Sequence, residues 1–233
     1  MHKPRASGIN SAIAHAVVNH IRDKGLRVGD TLPSELEFAE AAGVSRTLVR
    51  ETFGALAALR LIDIGSGRRA RVGAVDGSMM AMTLSHAVGT EQVSVPQIWD
   101  VRRALEQRTV ALAAMQRSEA EAAEIMGHAQ AMRRAGDDLD AQVSHDIAFH
   151  RAIAKASRNP IFDLMIAAFG DVMRETCPIG WRSRRTDAER QSVFDLHDAI
   201  AQAIMDRDPA AAEQAMAQHF AASLLALSNS GYN

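Results

Sequence analysis

Four side chains in the second half of the sequence are of types that bind divalent metal ions. Asp146 and His150 are four residues apart, so on a helix turning about 100° per residue they lie within about 40° of each other on one face. His197 and His219 follow later and offer two more imidazoles. Such ligands suit Zn²⁺, and also Ni²⁺, Mn²⁺ or Fe²⁺, and an incompletely filled shell leaves room for a small carboxylate.

The same residue types also have simpler interpretations. An Asp and a His four positions apart are more often a helix-surface pair than a metal site, and a lone histidine is usually packed or capping. A metal site would also suit a hydrolase, in which the ion activates a water molecule. The sequence offers no convincing general base, since Asp195 and Asp198 flank His197 at helical positions that point elsewhere. We therefore do not expect an enzyme.

Two arginines near the N-terminus have the spacing of a DNA-reading surface. Arg46 and Arg50 follow Ser45, which caps a helix predicted over SRTLVRETFGALAALR. A shorter helix begins before it at the capping box of Ser34, and a glycine separates the two. In a helix-turn-helix the first turn of the second helix approaches base edges while cations hold phosphates. By themselves, two arginines at this spacing are more typical of a solvated helix face.

Elements on either side complete the expected N-terminal domain. Residues 9 to 24 place Ile13, Val17 and Ile21 at helical spacing. After the second helix, LIDIGSGRRARVG predicts two short strands around a glycine-containing tip, which is typical of a wing. The first 77 residues are net positive and the remainder is net negative, although this asymmetry alone is too small to prove nucleic-acid binding.

The remaining sequence is predicted to form six or seven helices. Alanine is abundant and only 4% of the residues are aromatic, which favours helices over strands. A chain break is expected at Pro178 and Gly180. Helix starts are marked by capping boxes or cap-proline pairs at Ser118, Asn159-Pro160, Thr186 and Asp208-Pro209. The expected helices span residues 79–88, 95–117, 118–135, 138–157, 160–176, 187–206 and 209–229.

Composition narrows the class of protein further. The single cysteine, Cys177, excludes an internal disulfide, and no signal-peptide pattern is present, so we expect a cytoplasmic protein. Charged or polar residues interrupt every apolar stretch, so we expect no membrane span. The predicted fold is mainly α, with a winged helix-turn-helix DNA-binding domain over residues 1–75 and an all-α helical-bundle effector domain over residues 76–233.

The stretch LPSELEFAEAAGVSRTLVRETFGALAALRLI resembles the DNA-binding domain of the GntR family of bacterial regulators over essentially its whole length. The resemblance implies that Arg46 and Arg50 grip operator DNA and that Ser45 and Thr47 assist. It also implies minor-groove contacts from the wing tip by Ser66, Gly67 and Arg68. Many members have an arginine where this chain has Leu36, so one backbone contact is expected to be absent.

Four later segments resemble the FCD effector domain of the FadR-type branch of that family, in order DVRRALEQRTVALAA, HDIAFHRAIAKASRNP, LHDAIAQAIMDRD and AAEQAMAQHFAASL. Metal-binding members hold an ion with an Asp and three His at these places, which implies the ligands Asp146, His150, His197 and His219. An arginine of the RRALE segment clamps an effector carboxylate in the same relatives, which implies that role for Arg102. Without the resemblance, Arg102 would be an exposed charge paired with Glu106.

Together these features predict a transcription regulator that acts as a homodimer on two-fold operator DNA. Its DNA affinity is expected to change when a small carboxylate, a sugar acid or hydroxy acid, binds beside the metal. Zinc is the expected metal, and repression relieved by the effector is the expected direction. Two alternatives stay open: a metal-dependent hydrolase, and a sensor for which the metal itself is the signal.

Overall fold

Helices dominate the described part of the chain. The structure, a computed structural model, describes residues 6–231, with side chains described from Ser11 onward. Eleven helices and one two-stranded sheet occur in that range, which confirms the mainly α fold class. The chain divides into two compact units, one ending at Asp76 and the other beginning at Gly77. The first five and last two residues of the predicted domains lie outside the described residues.

The first unit consists of three helices and a β-hairpin. Its elements are α1 (Ala6–Asp23), α2 (Glu35–Ala42), α3 (Arg46–Ala58), β1 (Ile62–Gly65) and β2 (Arg68–Val72). α2 begins at the capping box of Ser34 and Glu37, and it ends at Gly43, whose φ of 65° is the left-handed conformation that closes many helices. Each element contributes to one apolar core, which includes Val17, Phe38, Phe53, Ile62 and Ala70.

β1 and β2 form the predicted wing. They run antiparallel, with Ile62 opposite Val72, and the register is irregular between Asp63 and Gly65. Gly67 has a φ of 71° in the turn between the strands, a conformation that glycine adopts without steric cost. The residues at the tip of the hairpin, 66–68, are exposed, whereas Ile62 at its base is buried in the core.

The buried face of α3 differs in part from the sequence prediction. Val49, Thr52, Phe53 and Leu56 are its buried residues. Helical spacing in the sequence predicts that Leu48, Thr52, Leu56 and Leu59 face inward, and for Leu59 this is wrong, because the helix ends at Ala58 and Leu59 is an exposed C-cap. Burial of this face leaves the first turn of α3 accessible to solvent.

The second unit is an all-α bundle. Its helices are α4 (Ser78–Gly89), α5 (Val95–Gln116), α6 (Glu119–Arg134), α7 (Leu139–Ala156), α8 (Pro160–Ala168), α9 (Gly170–Ser183), α10 (Asp187–Met205) and α11 (Pro209–Asn229). α5, α7, α10 and α11 surround a core that contains Phe149, Ile200, Met216 and Phe220. Among the helices of both units, none within residues 6–231 is long and apolar enough to cross a membrane.

The described part of this unit has eight helices where six or seven were predicted. The single helix predicted over residues 160–176 is two helices that meet at the buried residue Phe169. The break predicted at Pro178 and Gly180 is wrong, because α9 continues through both residues to Ser183. Hydrogen bonds from the side chains of Ser183 and Arg184 to the Gly180 carbonyl stabilise this end of α9.

Candidate functional site

Polar and cationic side chains cover the exposed first turn of α3. Ser45 is the N-cap, and its Oγ accepts a hydrogen bond of 3.3 Å from a backbone N–H of that turn. Arg46, Thr47 and Arg50 are exposed, whereas Val49 between them is buried. The helix therefore presents donors of the types that contact phosphate oxygens and base edges.

The wing tip borders the same surface cleft as α3. Arg46 and Arg50 line this cleft together with Ser66, Gly67 and Arg68. The structure thus brings together five of the residues predicted to contact DNA, while Ser45 and Thr47 lie beside them on the exposed first turn. A helix and an adjacent wing that share one cationic cleft have the geometry of a duplex-binding surface.

Carboxylates of α2 pair with two of the arginines near this cleft. Arg46 Nε lies 3.1 Å from Glu35 Oε2, and Arg69 Nη2 lies 3.5 Å from Glu37 Oε2. Both pairs are at the surface, where such contacts add little stability, so a phosphate can replace the carboxylate at small cost. Leu36 on the same helix is exposed. The position at which many family members have an arginine therefore faces solvent in this chain but carries an apolar side chain.

Three buried imidazoles gather around Asp146 in the second unit. His150, His197 and His219 come from α7, α10 and α11, and their ligand nitrogens lie within 4.8 Å of one another. Asp146 Oδ1 lies 3.0 Å from His197 Nε2 and 3.8 Å from His150 Nε2. The structure therefore brings the four sequence-predicted metal ligands to one place, although they are distant in the chain.

Two of these rings use one nitrogen to direct the other at Asp146. His197 Nδ1–H donates to the Val193 carbonyl oxygen over 2.7 Å, and His150 Nδ1 contacts Glu106 Oε2. A neutral imidazole carries a single proton, so in this tautomer each Nε2 is a bare lone pair. A bare nitrogen facing a carboxylate is repelled unless a positive charge lies between them. A metal ion or a second proton would supply that charge.

The electrostatics of the cluster suit a cation. Burial lowers the pKa of His219 well below its ordinary value, and the neighbouring imidazoles of His197 and His150 lower it further. Burial opposes ionisation of Asp146, but the hydrogen bond that His197 donates when its Nε2 carries the second proton outweighs it, together with the nearby imidazoles, and lowers the pKa of this carboxyl. Neutral imidazoles and an ionised carboxylate are the forms that coordinate a divalent ion, so these residues fit a metal centre.

A buried ion pair supports the cluster behind His150. Arg102 is only 2% exposed, and its Nε and Nη2 each lie 2.7 Å from Glu106 Oε1. This pairing is the alternative that helical spacing alone predicts for Arg102, but the pair is buried and not exposed. Burial alone would raise the pKa of Glu106, yet Arg102 and His150 hold it below its ordinary value. The ionised Glu106 therefore orients His150, as second-sphere carboxylates commonly do in metal sites.

A cavity opens beside the cluster. Its empty volume is about 540 Å³, part of it open to solvent, and its wall includes Trp99, Asp146 and His219. Apolar side chains form much of the remaining wall, among them Met132, Leu139, Val143, Val193 and Leu227. Arg102 lies behind this wall, with its Cζ 5.1 Å from the centre of the Trp99 ring and its Nη1 directed at the Met173 sulfur.

Arg184 is more buried than the sequence around it suggests. The arginines at 182, 184 and 185 have the pattern of a solvated loop, yet Arg184 is half-buried, lines the cavity and donates to the Gly180 carbonyl over 2.7 Å. Burial lowers its pKa, although a guanidinium stays charged at neutral pH. The cavity thus has a cation in its own wall, in addition to Arg102 behind Trp99.

Sequence reasoning also missed two further residues of the site. Cys177 lines the cavity with its Sγ 3.7 Å from Asp146 Oδ2, and burial raises the pKa of this thiol, which stays neutral. Gln142 lines the cavity one helical turn before Asp146. The four-residue spacing of Gln142, Asp146 and His150 was a signal that could have identified Gln142. No comparable spacing marks Cys177.

Known proteins resemble both units of the chain. Residues 9–72 match the bacterial regulatory proteins of the gntR family, and residues 97–222 match the FCD domain. The HTH-type transcriptional regulator LutR of Bacillus subtilis is 31% identical over 203 residues, which cover 85% of this chain and 92% of that protein. The Glc operon transcriptional activator of Escherichia coli K12 is 27% identical, over 91% of this chain and 85% of that protein.

A solved structure supports the fold across both units. The Streptococcus agalactiae GntR structure has a TM-score of 0.69 and 21% identity, and the match covers 91% of this chain and 97% of that one. The chain therefore belongs to the GntR family of transcription regulators, as the resemblance predicted, and carries an FCD effector domain. Its relatives are DNA-binding regulators and not enzymes, which removes the hydrolase alternative.

Proposed function

We propose that this regulator reads operator DNA with α3 and its wing, and that a small carboxylate bound beside a metal ion in the second unit changes its DNA affinity. One observation carries the sensor half of this proposal: the Nε2 atoms of His150 and His197 face the Asp146 carboxylate in a buried site that opens to a cavity. Such an arrangement needs a cation and leaves space for a ligand to complete its shell.

The DNA half of the proposal assigns three kinds of contact. Arg46 and Arg50 would hold phosphates and base edges in the major groove, with hydrogen bonds from Ser45 and Thr47. The exposed wing tip of Ser66, Gly67 and Arg68 would enter the minor groove. Members of the GntR family typically act as dimers, which supports the proposal that this chain binds a two-fold operator as a homodimer.

For the metal centre, we propose that Asp146, His150, His197 and His219 hold one ion. Three imidazoles and one carboxylate suit zinc, and also nickel, manganese or iron. The ion would supply a positive site for an anionic ligand at the cavity wall. The chain itself contributes the orientation of His150 through Glu106 and the orientation of His197 through the Val193 carbonyl.

The proposed effector is a sugar acid or hydroxy acid. Its carboxylate would meet the metal centre and the two arginines, Arg184 in the cavity wall and Arg102 behind Trp99. Arg102 already uses two nitrogens on Glu106, so its Nη1 is the donor that would exchange the Met173 sulfur for a carboxylate oxygen. This exchange replaces a weak acceptor by a charged one, which is favourable in a buried site.

We propose repression relieved by the effector as the direction of control. A dimer bound across a promoter blocks transcription by occupancy alone, whereas activation needs an additional surface for the polymerase. The relative named as an activator makes activation the alternative. A reporter gene behind the operator distinguishes them: deletion of the regulator raises expression under repression and lowers it under activation.

The experiment that tests the whole proposal measures binding of the purified chain to duplexes selected from a randomised library. Affinity is measured with a panel of sugar acids, hydroxy acids and dicarboxylates, each with and without a chelator. We expect at least one acid to change operator affinity by about 5- to 150-fold, and only in the metal-loaded protein. Absence of any selected duplex contradicts the DNA assignment. A response to the chelator but to no acid would instead favour the metal itself as the signal.

A further inference from the structure

Two side chains that line the cavity beside the cluster each carry a buried polar atom without a hydrogen-bond partner among the described residues. Gln142 is 3% exposed and Trp99 is 4% exposed, and both residues line the cavity. Gln142 Oε1 is an acceptor without a donor, and Trp99 Nε1–H is a donor without an acceptor. A buried polar group costs free energy when it is left unpaired, so each such atom in a ligand cavity indicates what the ligand brings.

The orientation of the Gln142 amide is fixed. Its Nε2–H donates to the Gly136 carbonyl oxygen, which turns Oε1 away from that carbonyl. The reversed amide would set two oxygens against each other, so Gln142 offers the cavity an acceptor and not a donor. The indole of Trp99 has a donor only. A hydroxyl group can satisfy either atom, because it both donates and accepts, whereas a methylene group can satisfy neither.

The position of Gln142 also sets how far such a hydroxyl lies from the acid group. Gln142, Asp146 and His150 follow one another at four-residue spacing on α7, so they form one stripe along the helix. Gln142 is about 6 Å along the helix axis from Asp146. A ligand whose carboxylate lies at the metal ligands reaches Gln142 only with a group several carbons away. An acid with a single hydroxyl on its α carbon is too short to do so.

We propose that Gln142 and Trp99 are specificity residues that select a polyhydroxylated acid, an aldonic acid of about six carbons, over short hydroxy acids and over alkyl acids of equal length. This inference rests on the proposed carboxylate function and narrows its ligand class. The apolar wall formed by Leu139 and Val143 contacts the carbon chain, and the two polar atoms read its hydroxyls. Discrimination arises because an alkyl acid would leave both atoms buried and unpaired.

The test uses calorimetry on the metal-loaded full chain with three probes: the set of six-carbon aldonate stereoisomers, hexanoate and glycolate. Two variants each remove one polar atom, Gln142→Met with similar volume and Trp99→Phe with the indole N–H deleted. Gln214→Met, at an exposed position on α11, is the matched control. Thermal melting and metal content verify that each protein is folded and loaded.

We expect the parent chain to bind at least one aldonate tighter than hexanoate and glycolate. Each variant should lose about tenfold in affinity for that aldonate, while its affinity for hexanoate stays equal or rises. An unchanged ratio of aldonate to hexanoate affinity in both variants overturns the proposal and leaves the carboxylate function intact. So does a parent that binds hexanoate as tightly as any aldonate. If no acid of any class binds the loaded parent, the proposed function fails together with this inference.

Discussion

The candidate sites of the two units hold their charged side chains in opposite ways. In the first unit Arg46, Arg50 and Arg68 are exposed to solvent, and the core beneath them is apolar. In the second unit Arg102 and Glu106 are almost completely buried and belong to a set of contacts that extends to the imidazole cluster.

In the first unit, the exposed arginines contribute to binding but little to folding stability. In the second unit, the buried charges around the imidazole cluster contribute to both. An exposed arginine is solvated, so its removal leaves the fold nearly unchanged and affects only what it binds. A buried charge depends on its partners, so removal of one partner leaves another unpaired at considerable cost. We therefore expect substitutions of the exposed arginines in the first unit to change binding alone, and substitutions around the cluster to change binding and stability together.

The largest effect is expected from loss of the imidazoles. The double variant His150→Ala/His197→Ala should lose its metal entirely, because two of the four proposed ligands are gone and Asp146 faces no replacement cation. Elemental analysis of the parent should give about one ion per chain. Melting of the parent should also respond to a chelator, whereas melting of the variant should not.

His145→Ala is the control for that experiment. His145 lies on the same helix beside Asp146, but its Nδ1 contacts His128 Nδ1 at 3.3 Å, away from the cluster. This variant should retain its metal. Equal metal content in the parent and the double variant would show that the ion binds elsewhere. The buried cluster would then not be the binding site of the second unit, and the comparison with the exposed arginines would no longer hold.

A second, smaller effect is expected on operator affinity when the exposed arginines of the first unit are removed. The double variant Arg46→Ala/Arg50→Ala should bind its operator about a hundredfold or more weakly, since each base-reading or phosphate contact contributes about 1–3 kcal/mol. Its melting temperature should stay close to that of the parent. The dependence of affinity on salt should also become less steep.

Arg22→Ala is the matched control for the arginines. Arg22 is exposed near the end of α1 and pairs with Asp23 at 3.2 Å, outside the cleft of α3 and the wing. Fluorescence anisotropy at one salt concentration should give it the affinity of the parent. An unchanged affinity in the double variant would contradict the assignment of α3, whatever the behaviour of the control.

A third effect concerns the support of the metal site. Glu106→Gln keeps the shape of the side chain but removes the charge that orients His150 and balances Arg102. Metal affinity should fall by about 10- to 100-fold, a usual range for loss of a second-sphere partner. Competition with a chromogenic chelator measures this, and Glu213→Gln at an exposed position on α11 serves as the control. Equal affinity would mean that the buried ion pair supports packing only.

The contrast between the units also explains how much the sequence predicted. The helix starts at Ser34, Ser45 and Ser118 were predictable because capping is a local interaction of residues three positions apart. The two strands of the wing were predictable for the same reason, since a glycine-containing turn separates them. The merged helix prediction over residues 160–176 failed because it passed over Gly170, a local break signal directly after Phe169, the residue at which the two helices meet.

The residues of the site were likewise predictable where a local sequence pattern or the family resemblance marked them. Asp146 and His150 were marked by helical spacing, while the remaining two histidines joined them through the family resemblance. The half-buried position of Arg184 depends on how α9 ends against the bundle, which no local pattern reports. The burial of Arg102 with Glu106 was likewise beyond the sequence, because four-residue spacing is identical for an exposed pair and a buried one.

The smallest expected effect tests whether the two units can be weakened separately. Capping boxes begin α2 and α6, and in both the serine Oγ accepts from the glutamate N–H while the glutamate accepts from the serine N–H. Ser118→Ala should destabilise the second unit by about 1 kcal/mol, and its melting temperature should fall by roughly 2–4 °C. Ser34→Ala should lower the stability of the first unit instead, as followed by amide hydrogen exchange in each unit.

Acid should remove these same contributions. Hydrogen bonds from Ser118, with help from Arg158, lower the pKa of Glu121, and those from Ser34 lower the pKa of Glu37. A carboxyl whose pKa is lower in the folded state binds fewer protons there, so its stabilisation is present above its ordinary pKa of 4.5 and is lost as the pH falls through the folded value. In the Glu121→Gln variant, the protection of amide hydrogens against exchange in the second unit should therefore fall less between neutral and acidic pH than it does in the parent. Glu37→Gln should have the same effect in the first unit. If either substitution weakened the pH dependence of amide protection equally in both units, the two units would unfold together. Their stabilities could then not be changed independently of each other.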